Sequence, residues 1–345
     1  MQQQVEIKSR KIGPGCPVYI IAEMACAHDG DLNKALKLID AAVAAGADAV
    51  QLQFFRSDET VVPAHEVYGV LQKIEFTEDQ WKTIIAHARK SDIAVMICTF
   101  DLPSVHAATS SGADAIKLNS ADLSNPEVVG AVAKSGLPFT LGTGASYDEE
   151  IMSGLDMAAA NGATQVILMH GVQNFPTKTE DLNIRRVKYL QEKFNIPVGY
   201  HDHTDGSDSF APIVDLIAIG IGAHVIEKHI TIDRSEKGID YQASLEPEEF
   251  KEFVATIRRA ETALGFALKT SLTESDLRYR KFQKKSIVAA RKIEAGELIT
   301  RNDVKFIRNT TPGLPPSDMA LIEGRRALIE IELYQNIQQE HVAIK

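Results

Sequence analysis

One rhythm recurs through the first two-thirds of the chain: a short β-branched run, a few polar or glycine residues, then a longer amphipathic stretch rich in Ala, Leu, Lys and Glu. Strands that alternate with helices in this way pair in parallel, because each intervening helix carries the chain back to the start of the next strand. The apolar runs Val18–Glu23, Ala49–Phe54, Ala94–Thr99, Ala113–Leu118, Phe139–Leu141, Gln165–His170, Val198–Tyr200 and Ala223–His229 read as eight strands. Helical patterns lie between and after them at Leu32–Ala45, Glu78–Ser91, Pro126–Ser135, Tyr147–Asn161, Phe210–Gly220 and Glu248–Leu264. In Ala45-Gly46-Ala47-Asp48-Ala49 and Ser111-Gly112-Ala113-Asp114-Ala115 a glycine closes a helix just before the next strand. Eight such units in roughly 230 residues have the size of a closed (β/α)8 TIM barrel, an α/β fold.

Beyond Leu264 the pattern changes. A stretch dense in charge around Thr270–Lys285 reads as a linker, and from Ser286 short segments follow, among them Ser-Ile-Val-Ala-Ala, Val-Lys-Phe-Ile-Arg and Pro-Gly-Leu-Pro-Pro. The expected organisation is a barrel over 1–265, a linker over 266–285 and a small, mostly β module over 286–345, near the lower size limit for independent folding. Formal charge is −10, from 37 basic against 47 acidic residues, and no dense basic run overrides it, so nucleic acid is not an expected partner. The start, Met-Gln-Gln-Gln-Val-Glu, lacks the basic-then-apolar signature of a secretory signal, and no apolar run is long enough to span a bilayer. The expectation is a cytoplasmic protein without membrane contact. Cys16, Cys26 and Cys98, an odd number at unrelated spacings, argue for free thiols in a reducing compartment.

In barrels of this kind the strand C-termini carry the chemistry. Here they are polar: Glu23; Gln51 and Gln53; Thr99 and Asp101; Lys117, Ser120 and Asp122; Gly142-Thr143-Gly144; His170 and Gln173; His201-Asp202-His203; Glu227-Lys228-His229. His203 and His229 close adjacent strands, and an imidazole pair completed by carboxylate or water suits Mn, Fe or Zn, whereas a lone strand-end histidine is as often a hydrogen-bonded structural residue. His201, two residues earlier on the same face, is open between a third ligand, a supporting group and a substrate contact, and His170 is open too. A lysine ending an apolar strand is costly unless its ammonium meets an anion. For Lys117 that anion is a substrate carboxylate or phosphate, or else Asp114 or Asp122 at the rim; a Schiff base is the third reading. Glu23 and Asp122 are acid/base candidates or members of ion pairs. Gly142-Thr143-Gly144 offers backbone N–H groups to an anion, or is only a turn.

The ordered motifs Ala22-Glu23-Met24-Ala25-Cys26-Ala27-His28-Asp29-Gly30, Ile116-Lys117-Leu118-Asn119-Ser120-Ala121-Asp122, Leu141-Gly142-Thr143-Gly144, Gly199-Tyr200-His201-Asp202-His203-Thr204 and Ile226-Glu227-Lys228-His229-Ile230-Thr231 resemble those of the sialic acid synthase (NeuB-like) family over nearly the whole chain. Ser286–His341 resembles that family's antifreeze-like (SAF) domain. The resemblance implies condensation of phosphoenolpyruvate with an N-acylated hexosamine-type aldose to give a nine-carbon, sialic-acid-like keto acid and phosphate. It implies a divalent metal, typically Mn²⁺, on His203 and His229; Lys117 and Ser120 facing phosphoenolpyruvate; Glu23 and Asp122 near the reacting carbons; and Asp240 on the sugar. It further implies a domain-swapped homodimer in which Arg308 reaches the sugar in the partner's site, and Tyr68–Phe76 resembles the family's substrate-side loop.

Departures from the family pattern are concentrated. Gln51-Leu52-Gln53 stands for Lys-x-Gln, Gly142-Thr143-Gly144 for Ser-Thr-Gly, Gly171-Val172-Gln173 for Cys-Thr-Asn, and His201-Asp202-His203 for Ser-Asp-His; Asp122 replaces Glu and Ala27 replaces Asn. Gln51, Gln53, Thr143, Gln173 and His201 are the expected lining of a rebuilt donor pocket. The lost groups include charge-assisted hydrogen bonds of about 1.5–3 kcal/mol each. A second reading keeps barrel and metal but makes the enzyme a divergent aldolase, lyase or isomerase on an unphosphorylated keto acid or sugar. A third is a non-catalytic carbohydrate-binding protein.

Overall fold

The computed structural model describes residues 1–265 and 271–343. The chain divides into two compact units, Met1–Gly265 and Phe266–Lys345. The first unit opens with an antiparallel hairpin, β1 (Val5–Ile7) and β2 (Arg10–Ile12), which sequence reading did not anticipate. Eight parallel strands follow: β3 (Tyr19–Ala25), β4 (Ala49–Phe54), β5 (Ala94–Thr99), β6 (Ala115–Leu118), β7 (Phe139–Gly142), β8 (Val166–His170), β9 (Val198–Asp202) and β10 (Val225–Ile230). Each pairs with the next, and β10 pairs with both β9 and β3, so the sheet closes into the expected barrel. A short strand β11 (Ser244–Leu245) continues along β10 beyond Lys228.

The first crossover helix shows why the elements fall where they do. Asp31 caps Leu32–Ala45 by accepting from the Asn33 and Lys34 N–H groups, and Gly46 ends it at φ 80°, a left-handed value that glycine adopts without steric cost. Ala35, Leu38, Ile39, Ala42 and Ala45 recur at helical spacing and are the buried face. Asp48, just before β4, accepts from the Ile20 N–H at 2.7 Å and from Arg258 at 2.6 Å, tying the last barrel helix, Pro247–Leu264, to the first strand. Helices at Leu102–Ser111 and Arg186–Phe194 complete crossovers left unassigned from sequence. Tyr68–Ile74, expected as part of a substrate-side loop, is a helix whose last residue is buried together with Phe76.

Strand residues alternate between two cores. Ile20, Ala22, Val50, Leu52, Val95 and Ile97 point outward against the helices. Tyr19, Ile21, Ala49, Ala94, Met96, Ala115, Ile167, Met169 and Val225 point into the barrel, where they pack with Val5, Ile7 and Ile12 of the hairpin. The N-terminal end of the barrel is therefore a sealed apolar plug. Continuing the same parity along each strand brings Glu23, Gln51, Cys98, Lys117, His201 and Glu227 into the barrel at its other end.

The second unit contains a helix, Glu274–Gln283, within the stretch expected as linker, and an antiparallel pair, β12 (Ser286–Ala289) with β13 (Val304–Ile307). Ile287, Ile293, Ile299, Ile331 and Ile337 form its core. Residues 266–270 of the expected linker lie outside the described residues. No described helix is long and apolar enough to cross a membrane.

Candidate active site

Four side chains form one buried network inside the barrel. Lys117 donates to Glu227 Oε1 and lies 3.4 Å from Glu23 Oε2. Gln51 Nε2 donates to Glu23 Oε2, and the Ala25 N–H donates to Glu23 Oε1 at 2.6 Å. Burial pushes the Glu23 carboxyl up to about 7 against the opposing pull of Lys117. Burial alone would lower the Lys117 ammonium, yet Glu227 and Glu23 hold it above its ordinary value. The rim ion pair considered for Lys117 is not what forms. Asp114 instead accepts from the Val95 N–H at 2.8 Å, because it faces the neighbouring strand's backbone, and Asp122 accepts from Asn125 at 3.0 Å on the turn after β6.

Toward the mouth the barrel carries imidazoles. The His203 and His229 ring centroids are 5.2 Å apart, and Phe175 packs on His203 at 4.2 Å and edge-on to His229 at 5.6 Å. His203 Nδ1 lies 2.6 Å from the Val172 carbonyl oxygen, so Nδ1–H donates and Nε2 is left as a lone pair, the arrangement of a metal-ligating histidine. Burial lowers the His203 pKa and depresses that of His229 further, with His203 adding to the effect, so both rings stay neutral. Among the described residues no group of three or more His, Cys, Asp or Glu is gathered closely enough to hold a metal. Among the described residues, His203 and His229 are the pair that could hold a metal ion. His170 turns away to the Leu182 carbonyl at 2.9 Å, and His28 stacks on Phe76 at 4.4 Å.

His201 lies under this pair. Its ring stacks on His203 at 5.1 Å with an interplanar angle of 19°, and burial keeps its pKa well below the ordinary value. A Cβ on Gly171 would overlap the His201 ring, so glycine is the residue that fits there. His201 Nε2 lies 3.5 Å from the Gln173 amide nitrogen, and a Cβ on Gly144 would come within 2.9 Å of Gln173 Cγ. Gly142 backs onto Ser120, whose backbone nitrogen would be 3.0 Å from an added Cβ.

The remaining sequence-predicted residues divide. Thr143 Oγ1 donates to the Met169 carbonyl at 3.1 Å and is spent on the backbone. Ser120 Oγ lies 3.5 Å from Asn119 Oδ1. Gln53 Oε1 is 3.6 Å from Cys26 Sγ, and Cys98 sits in register with Lys117; burial raises both thiols. Asp240 takes a left-handed conformation, φ 61°, and burial pushes it up to about 6. Arg308 is exposed in the second unit, directly after β13. Sequence reading gave no role to Glu227, Gly171 or Thr140. Strand parity would have found the first, two residues before His229, and the third, in register with Lys117. A cleft of about 440 Å³ on the barrel flank, lined by Phe54, Arg56, Phe76 and Trp81 among others, takes Gln72, Glu75 and Phe76 from the expected substrate-side loop but none of the predicted strand-end residues.

Outside the barrel wall, β9 and β10 are joined by a second charge cluster. Lys228 donates to Asp202 and lies 3.4 Å from Asp215, and all three are fully buried. Burial would raise the Asp202 carboxyl, but Lys228, Thr204 and Tyr200 hold it below its ordinary value, whereas burial drives the Asp215 carboxyl well above its own. This staple spans the two strands that carry His203 and His229.

A closed barrel with a carboxylate–lysine network and neutral paired imidazoles at its strand C-termini has the layout of a barrel enzyme. The chain belongs to the NeuB family, whose model matches residues 38–269, and the SAF domain model matches residues 284–332. An uncharacterized protein of Methanocaldococcus jannaschii is 35% identical, over 89% of each chain. The N,N'-diacetyllegionaminic acid synthase of Legionella pneumophila is 32% identical, over 96% of each chain. The N-acetylneuraminic acid synthetase of Leptospira borgpetersenii, a crystal structure, superposes with a TM-score of 0.74 at 32% identity, covering 81% of this chain and 97% of that one. This chain is accordingly an enzyme of the sialic acid synthase type.

Proposed function

We propose that this enzyme condenses phosphoenolpyruvate and water with the open-chain form of an N-acylated hexosamine-type aldose, giving a nonulosonic keto acid and inorganic phosphate. The observation that carries the reading is the neutral His203–His229 pair beside the Glu23–Lys117–Glu227 network in a NeuB-family barrel. The pair fits a divalent metal, Mn²⁺ by preference: two neutral imidazoles, one fixed by its Nδ1–H, with the other coordination positions left to water or substrate. Such an ion supplies Lewis acidity toward the aldehyde oxygen. Glu23, near 7, is placed to exchange a proton close to neutral pH, and Lys117 offers its ammonium to the acid substrate. Asp240 would bind the sugar. In a cytoplasmic, domain-swapped homodimer, Arg308 would reach the sugar in the partner's site.

The test is phosphate release from phosphoenolpyruvate with Mn²⁺ and N-acetylmannosamine or diacetamido sugars, comparing wild type with Lys117→Ala. Release that needs both sugar and Lys117 supports the synthase; no release by folded, metal-loaded protein rejects it. For the dimer, a mixture of inactive Arg308→Ala and Lys117→Ala chains should regain activity, since one hybrid site then has both residues.

The second reading, an aldolase, lyase or isomerase on an unphosphorylated keto acid or sugar, draws on one observation. The lysine inside the barrel is already shared by two carboxylates, and Gln51 and His201 near it are uncharged, which disfavours a phosphate dianion. Pyruvate release from a nonulosonic acid, without phosphate in either direction, would favour it.

A further inference from the structure

We infer that Asp202 and Lys228 are positioning residues: their buried ion pair, outside the barrel wall, sets the orientation of the His203 and His229 imidazoles inside it. The ring geometry does not depend on which reaction the enzyme runs; only its consequence for a bound metal ion rests on the reading above.

Strand parity links the two faces of the wall. Successive residues of a strand point to opposite sides of the sheet, so Asp202 and Lys228 lie among the helices while His203 and His229, one residue further along, turn inward. The ladder between β9 and β10 pairs Tyr200 with Ile226, His201 with Glu227 and Asp202 with Lys228, and it ends there. Beyond that rung the two chains part. His229 continues in register with Glu23 of β3 and Ser244 of β11, whereas His203 has no paired residue on β10. The relative placement of the two rings is therefore set from the last rung.

The contacts of that rung are directional. Asp202 Oδ2 accepts from Lys228 Nζ and from Thr204 Oγ1, the latter at 2.6 Å. Oδ1 accepts from the Thr204 N–H at 3.1 Å and from the Tyr200 hydroxyl at 2.8 Å. One carboxylate thus ties residues 202 and 204, with His203 between them. The ammonium is boxed in from the other side by Asp215, on the helix Ala211–Gly220, at 3.4 Å and by the Phe253 ring at 5.9 Å. Asp202, Asp215 and Lys228 are all fully buried. A buried ion pair is often no more stabilising than apolar residues of the same volume, so fold stability does not account for these charges. Fixed direction, which apolar contact does not supply, does.

The experiment reads the rings without requiring turnover. Protein labelled with ¹⁵N-histidine and prepared without metal is examined by NMR for the His203 Nδ1–H that donates to Val172, assigned by its absence in His203→Ala. Mn²⁺ is then titrated in and its free-ion EPR signal followed. The test variant is Lys228→Met/Asp202→Asn, which removes both charges of the pair without stranding either, checked for wild-type circular dichroism. Its Nδ1–H signal is expected to shift and broaden, and its Mn²⁺ affinity to fall about tenfold. Asp215→Asn alters the same buried cluster but leaves the last rung, and should keep the wild-type signal and affinity. Thr204→Val, a milder change, loosens the turn around His203 and should move the signal in the same sense, to a smaller degree. The inference is overturned by an unmoved signal in the folded double variant, or in Thr204→Val where the double variant does not fold. It is equally overturned by an equal displacement in Asp215→Asn, which would mark a general effect on the fold. A wild type that binds no Mn²⁺ while the signal still moves sinks the metal reading alone; Mn²⁺ bound as tightly by the double variant as by wild type sinks the inference alone.

Discussion

Lys117→Met keeps most of the side chain's length and removes the charge that Glu23 and Glu227 share. Both carboxyls are fully buried. With Lys117 present Glu23 sits at about 7 against an ordinary 4.5, so its ionisation is already resisted by roughly 3 kcal/mol at 1.36 kcal/mol per unit. A carboxyl whose folded pKa lies above its unfolded value favours the fold when protonated; that contribution is complete below about 4.5 and is lost as pH rises to about 7. Lys117 pulls this pKa down, so removing it widens the window upward and adds the cost of an uncompensated buried charge, about 3–5 kcal/mol. For a unit of this size that corresponds to a fall in Tm of roughly 10 °C. Thermal denaturation at pH 8 should show the fall, and at pH 6, where Glu23 is mostly protonated in both proteins, the gap should narrow. Lys117→Met/Glu227→Gln should recover part of the loss by removing one stranded charge. A Tm for Lys117→Met equal to wild type at pH 8, or an equal loss at both pH values, would refute the reasoning.

Other perturbations give separate checks. The pH profile of kcat/KM should inflect near 7 and lose that inflection in Glu23→Gln; an unchanged profile would remove Glu23 from proton transfer. His203→Ala and His229→Ala should fail to retain Mn²⁺ through desalting, by elemental analysis, whereas His201→Ala should retain it; loss in all three would instead indicate a three-histidine centre. Lys228→Met, which strands Asp202, should cost about 3–5 kcal/mol in urea denaturation, while Asp215→Asn, at a carboxyl whose ionisation burial already opposes, should cost far less. Deleting residues 1–14 takes Val5, Ile7 and Ile12 out of the barrel plug and should destabilise the first unit by about 6 kcal/mol, at roughly 2 kcal/mol per buried aliphatic.

The barrel was legible because its signal is periodic. Each strand opens on apolar residues, each helix is amphipathic, and Gly46 and Gly112 mark joins between them. The hairpin escaped because three residues per strand are too few for alternation to register, and its partners lie far along the chain. At the site, residue types at strand ends pointed to Glu23, Lys117, His203 and His229, but not to who pairs with whom. Lys117 meets Glu23 on β3 and Glu227 on β10, neighbours that only barrel closure supplies, rather than the nearby Asp114. Gly171 reads as a turn residue until the ring opposite it is seen.

The hairpin also bears on the order in which this protein can be made. Val5, Ile7 and Ile12 leave the ribosome well before the surface they cover, which includes Ile167, Met169 and Val225, and the Gln2 and Glu6 N–H groups bond to Thr164 and Gln165. Contacts of that sequence separation are slow to form. During synthesis the hairpin segment must wait, apolar and uncovered, until the strands carrying Ile167, Met169 and Val225 have followed it, and it is there that a chaperone has reason to bind.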